Sequence, residues 1–212
     1  MRAWVLMKQL DIAFEEVPVR FDSFASGSNF KQVITAISAA GKVPVLQDGD
    51  VNIWDSLAIA EYLQERYSKL RIWPEDTAMR SCARSICAEM HSGFGALRSR
   101  CPQNLEAFLP DTGRELWSKH PDLQTDVARI FQIWTGLLAQ HGGPLLFGRF
   151  CVADAFFAPV VCRIKTYDLP RPQVIQSYMN EVLSLSSVSS WIEDACQEHD
   201  FLAFEEPYRS ER

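Results

Sequence analysis

The stretch GKVPVLQDGDVNIWDSLAIAEYL, residues 41–63, decides how the rest of the chain is read. Two short apolar runs, Val43–Gln47 and Val51–Trp54, flank Asp48-Gly49. Glycine takes positive φ without a Cβ penalty, so a tight antiparallel hairpin turning on that dipeptide is expected. Pro44 cannot donate to a sheet ladder, so it belongs either at a plain strand edge or in a cis peptide; the residues alone leave both open. A cis bond would turn the backbone N–H and C=O of Val43 away from the sheet, free to pair with an extended peptide. Asp55-Ser56 then opens an apolar helix, Ser56–Tyr67, with Leu57, Ile59, Ala60, Leu63 and Tyr67 on one face. Helix capping alone accounts for one, at most two, of these polar residues. The same N-terminus, with unpaired N–H groups and a positive dipole end, also suits a carboxylate, and Asp55 suits an ammonium group. Lys42 stands ready for a second carboxylate. The set Lys42, Val43, Pro44, Asp55 and Ser56 matches a short peptide with an amino-acid head and a distant carboxylate.

Working outward, Arg2–Leu10 has helical apolar spacing, and Ala13–Phe21 reads as a strand with Pro18 marking an edge. Asp22–Asn29 is a Ser/Gly loop, and Phe30–Ala40 a short helix stopped by Gly41. Residues 69–75, KLRIWPE, read as a linker. Beyond them Thr77–Arg98 is expected as one long amphipathic helix, Cys101–Asp122 as irregular, and Leu123–Gln140 as a helix ended by Gly142-Gly143-Pro144. Val152–Tyr167, Gln173–Leu185 and Val188–His199 complete the helices. The order α-β-α-β-β-α followed by about five helices predicts a small α/β domain over residues 1–68, a linker over 69–76 and an all-α helical bundle over 77–212.

The chain has 212 residues, 47% apolar and 23% charged, enough for a sizeable core. Its net charge of −6, with no basic block, argues against a nucleic-acid or anionic-membrane surface. No apolar run reaches the roughly 20 residues of a membrane span, and the first residues lack the pattern of a signal peptide. Six cysteines form no C-x-x-C pair and read as reduced, packed thiols of a cytoplasmic protein. The four histidines have no ligand-like spacing to them, so no metal is expected.

The hairpin stretch G-K-V-P-V-L with W-D-S-L-A-I-A-E-Y-L resembles the glutathione site of the cytosolic glutathione S-transferases. The resemblance extends through FGRFCVADAFFAPVVCRIKTY (147–167), similar to the core helix of that family's helical domain with its buried Asp at Asp154. AEMHSGFGALRSRCPQN (88–104) resembles a bacterial branch. The resemblance implies a thioredoxin-like α/β N-terminal domain and an all-α C-terminal domain, with glutathione as co-substrate and a homodimer. It makes Pro44 the cis-proline, pairs Val43 with the cysteinyl backbone, gives the γ-glutamyl ammonium and carboxylate to Asp55 and Ser56, and gives the glycyl carboxylate to Lys42. The second substrate would lie between the domains, near His91, Phe94 and Arg98 and near Arg163 with Tyr167. Two arginines and a tyrosine suit an anionic small electrophile; the bland alternative is that they only bracket the domain interface.

Two departures stand out. The family's α/β domain begins with a strand and a catalytic Ser, Cys or Tyr turn ahead of the first helix, and here that helix pattern follows Met1 at once. Three explanations are open: a start further upstream, a non-catalytic glutathione-binding relative, or thiol activation by Arg2 beside Met1. The catalytic residue is therefore unassigned, and first strand and catalytic turn are expected to be missing. The second departure is Cys151, where the pattern has Ser or Thr; as a weaker acceptor it is expected to cap roughly 1 kcal/mol less well. Three functions compete: glutathione-dependent transferase (or isomerase or reductase), non-catalytic ligand binder, and thiol-disulfide oxidoreductase, the last opposed by the absence of C-x-x-C.

Overall fold

The computed structural model describes residues 1–23 and 25–211; of the expected loop over residues 22–29, Phe24 lies outside them. Helix α1, Arg2–Gln9, buries Ala3, Val5, Leu6 and Met7, while Trp4 and Leu10 are only partly buried. Helix α2, Asn29–Ile37, is capped by Ser28, whose hydroxyl accepts from the Lys31 amide. Strands β1, Val45–Asp48, and β2, Val51–Trp54, pair antiparallel, with Asp48 opposite Val51. The turn residues are therefore Gly49-Asp50, one position later than expected, with Gly49 at φ +58°. Helix α3, Ser56–Arg66, follows and buries Ile59, Ala60 and Leu63.

The strand expected over Ala13–Phe21 is not formed: the described sheet has two strands, and this segment is irregular with Val17 72% exposed. A strand exists by its ladder, and among the described residues the backbone of residues 13–21 makes no backbone–backbone hydrogen bond. The segment is held instead by side chains: the Trp4 indole donates to Glu16 at 2.9 Å, and Arg20 pairs with Asp200 at 2.9 Å.

The presumed linker is a packed element. Ile72 and Trp73 are 0% and 2% exposed, and the Val152 amide donates to the Ile72 carbonyl at 2.9 Å. Helix α4 spans Thr77–Ser92, ends at Gly93, and is followed by Phe94 in left-handed geometry (φ +58°) and by α5, Gly95–Arg100. The single helix expected to Arg98 is thus two; the apolar period continues across the break and so gives no sign of it. The stretch expected to be irregular contains α6, Pro110–Lys119, and its end opens α7, Pro121–His141. Both start on a proline, a favourable first helical residue because its missing N–H would be unpaired there anyway. Helices α8, Val152–Thr166, α9, Gln173–Ser184, and α10, Ser186–Gln197, complete the molecule.

Helix α8 is the axis, with Phe156 and Phe157 fully buried as core residues. It packs on α1, α4 and α9, while α1 also meets α3 and α10. One hydrophobic cluster runs from Leu6 and Ile59 through Ile72 and Cys87 to Phe156 and Val182, so both halves share a core. Cys151 stands at the start of α8 in a capping-box arrangement with sulfur in the acceptor's place, and the Asp154 carboxylate accepts the Cys151 amide at 3.1 Å. Among the described residues no helix is long and apolar enough to cross a membrane.

Candidate functional site

The geometry begins at Gly41, whose carbonyl accepts from the Lys31 ammonium at 2.7 Å and whose φ is +58°. Lys42 is exposed. The Val43-Pro44 peptide is cis, which decides between the two readings of that proline. Val43 is 58% exposed, and among the described residues its backbone N–H and C=O meet no hydrogen-bond partner. A strand-like backbone with one residue's groups turned outward can accept an extended peptide by main-chain pairing.

Across the hairpin, Asp55 caps α3 from an unusual backbone conformation, φ +74° and ψ +131°. Positive φ is costly for a residue with a Cβ and persists where the surroundings enforce it. Its Oδ1 accepts the Leu57 amide at 2.8 Å, and its Oδ2 lies 2.9 Å from His91 Nε2. Ser56 is 2% exposed, and its hydroxyl is buried without a hydrogen-bond partner among the described residues. A buried hydroxyl left unpaired at a helix N-terminus is uncommon enough to require a reason.

Three guanidinium groups close the other side. Arg2 of α1 approaches His91 Nδ1 at 2.8 Å and lies 5.1 Å from the centre of the Phe156 ring. Arg98 of α5 donates to the Met90, His91 and Gly93 carbonyls at the end of α4, where cations suit the helix dipole. Arg163 of α8 reaches Gln103 Oε1 at 3.4 Å and the Pro159 carbonyl at 3.3 Å, with its Nε unpaired. None of the three forms a salt bridge among the described residues. Burial pulls Arg163 down to about 10, with the charge of Arg98 adding to the effect. Burial, then Arg98, also lowers Arg2, while Asp55 opposes the shift. Burial lowers Arg98, against the pull of Asp126. Cations held low by burial and by one another favour an anion between them.

Of the residues expected around a second substrate, the structure gathers His91, Arg98 and Arg163 into this group. Phe94 is 7% exposed in the helix break, and Tyr167 is 1% exposed with its hydroxyl donating to the Pro102 carbonyl at 3.2 Å. Both are placed in the packed interior. Arg2 was raised in the sequence only for thiol activation; its approach to His91 joins α1 to α4, residues 89 apart, and no periodicity carries that signal. The nearby thiols offer no ready nucleophile: burial pushes Cys101 up to about 12 and Cys87 well above the usual range. A cavity of about 700 Å³ opens beyond Gln103 and Met1. Carboxylates from Glu16 to Glu206 face it, so it is opposite in charge to the arginine group.

Residues 1–71 match the family model for the glutathione S-transferase N-terminal domain. A curated relative described as "Probable maleylacetoacetate isomerase" from Caenorhabditis elegans is 30% identical over 159 residues, 73% of this chain and 71% of that protein. "Glutathione S-transferase 1" of Dianthus caryophyllus is 29% identical over 157 residues, 73% of this chain; the chain spans 66% of that relative's length, just under two thirds. Among solved structures, a Burkholderia glutathione transferase homolog with bound glutathione superposes at TM-score 0.64 and 23% identity, covering 92% of this chain and 90% of that one. At that identity the likeness is one of fold, a thioredoxin-like N-terminal domain joined to a helical domain.

Proposed function

Because the chain belongs to the glutathione S-transferase family, we propose that it binds glutathione and uses it on a small anionic electrophile. The observation that carries the first half is the set of unpaired groups on one side of the hairpin: the free Val43 backbone and the partnerless Ser56 hydroxyl beside the Asp55 carboxylate. The Val43 N–H and C=O would pair with the cysteinyl residue. The Ser56 hydroxyl and the first amides of α3 would take the γ-glutamyl carboxylate, with Asp55 on the ammonium and Lys42 on the glycyl carboxylate. The second half rests on Arg2, Arg98 and Arg163, three cations without a salt bridge among the described residues. They suit a carboxylated substrate, and Arg2 supplies positive potential to a thiolate near α1.

Two chemistries fit. In conjugation the thiolate adds to an electrophilic carbon and the C–S bond persists. In isomerisation the thiolate adds to an activated double bond and leaves again after rotation, so glutathione is regenerated. The arginines and the named isomerase relative favour the second for an unsaturated carboxylate. Trp54, 53% exposed on the hairpin, offers apolar surface that supports pairing of two copies there. Calorimetric titration with glutathione tests the reading. Saturable binding weakened about tenfold by Asp55→Ala is expected, since a charge-assisted contact would be lost. Absence of binding in folded protein overturns it. Incubation of the glutathione-loaded protein with maleylacetoacetate then separates isomerised product from conjugate.

A further inference from the structure

His91 occupies a position that the second-substrate reading does not explain. Both of its ring nitrogens are engaged, one by each domain-linking neighbour. An arginine side chain only donates, so His91 Nδ1 must supply the lone pair at the 2.8 Å contact with Arg2. The ring proton then sits on Nε2 and is donated to Asp55 Oδ2 at 2.9 Å. With Oδ1 held by the Leu57 amide, each oxygen of Asp55 has one fixed donor and keeps a further lone pair. The carboxylate is therefore fixed in plane while 40% of the side chain stays open to solvent.

We propose that His91 is a positioning residue: the chain Arg2, His91, Asp55 orients the carboxylate for the ammonium group of glutathione. This rests on the reading that Asp55 holds that ammonium. A proton on Nδ1 would point at a guanidinium, donor against donor, so the Arg2 contact fixes the tautomer that donates to Asp55. The charged groups around it are Asp55 at the start of α3, Arg2 of α1, Arg98 of α5, whose guanidinium reaches the His91 carbonyl at 3.4 Å, and Arg163 of α8, within electrostatic range of Arg98. The arginines keep their charge at every pH of interest.

The test is a set of glutathione titrations of the full chain near neutral pH. They use the unmodified protein, Asp55→Ala, His91→Ala and His91→Gln, each checked for folding by circular dichroism. Expected are affinity about tenfold weaker in His91→Ala, and within about threefold of the parent in His91→Gln, because the amide still donates to Asp55. Unchanged affinity in His91→Ala, or equal losses in His91→Ala and His91→Gln, overturns the inference while leaving the glutathione site standing. No saturable binding in the parent, or no effect of Asp55→Ala, overturns the glutathione reading and this inference with it. Should His91→Ala fail to fold, nitrogen shifts of the imidazole decide: a proton found on Nδ1 overturns the relay.

Discussion

Asp154 is fully buried at the start of α8, and it accepts from the Leu146 amide at 3.2 Å, the Cys151 amide at 3.1 Å and the Tyr178 hydroxyl at 3.3 Å. These donors favour the carboxylate, yet burial outweighs them and pushes the group from 3.8 up to about 6. A group raised on folding contributes stability that is complete below its unfolded value and is lost as pH rises through its folded value. For Asp154 that window runs from about 4 to about 6. Denaturant unfolding of the parent and of Asp154→Asn, which cannot ionise, should show the parent gaining on the variant by about 1–3 kcal/mol at pH 4 relative to pH 7.5. A difference constant across that range would mean the three donors win and the carboxyl is not raised. At the residue scale the place of Asp55 and Ser56 at the head of α3 was legible, because a polar pair ahead of an apolar run marks a helix start.

Individual elements were legible where one period runs without interruption, as in α1, α3 and α8. Helix α6 was not, because Pro110, Asp111, Thr112 and Gly113 are loop residues by propensity. Packing decides there. The Leu109 amide donates to the Thr166 carbonyl at 2.7 Å, and a Cβ added at Gly113 would sit 1.7 Å from the Tyr167 carbonyl oxygen. Glycine at that point lets the backbone of α6 lie against the end of α8. Gly113→Ala should therefore lower stability by about 1–3 kcal/mol despite alanine's better helix propensity, read as a lower Tm in thermal melting. A variant as stable as the parent, or more so, would show that helix propensity governs α6 and the contact does not. The break at Phe94 was hidden for the opposite reason: Met90, Phe94, Leu97 and Cys101 are all buried at near-helical spacing, yet Met90 belongs to α4, Leu97 to α5, and Phe94 and Cys101 flank α5.

Taken whole, the molecule has one core, and the segment over residues 69–76 is where its halves join. Ile72 is fully buried in the shared cluster, and its carbonyl accepts the Val152 amide of α8. Ile72→Ala should cost about 2–5 kcal/mol, with far-ultraviolet and near-ultraviolet signals melting together. Separate transitions by the two probes would mean that the halves fold independently. The sequence by itself determined the hairpin with its proline, the capped α3, the apolar helix around Asp154 and the small α/β unit ahead of the helical one. These depend on local rules of period, turn chemistry and capping, which act over a few residues. Only the tertiary structure decided that residues 13–21 form no strand, that the linker is core, and that Arg2, His91 and Asp55 meet. A ladder, a buried segment and a three-residue relay each require partners from distant parts of the chain, and those partners are brought together by packing, not by spacing.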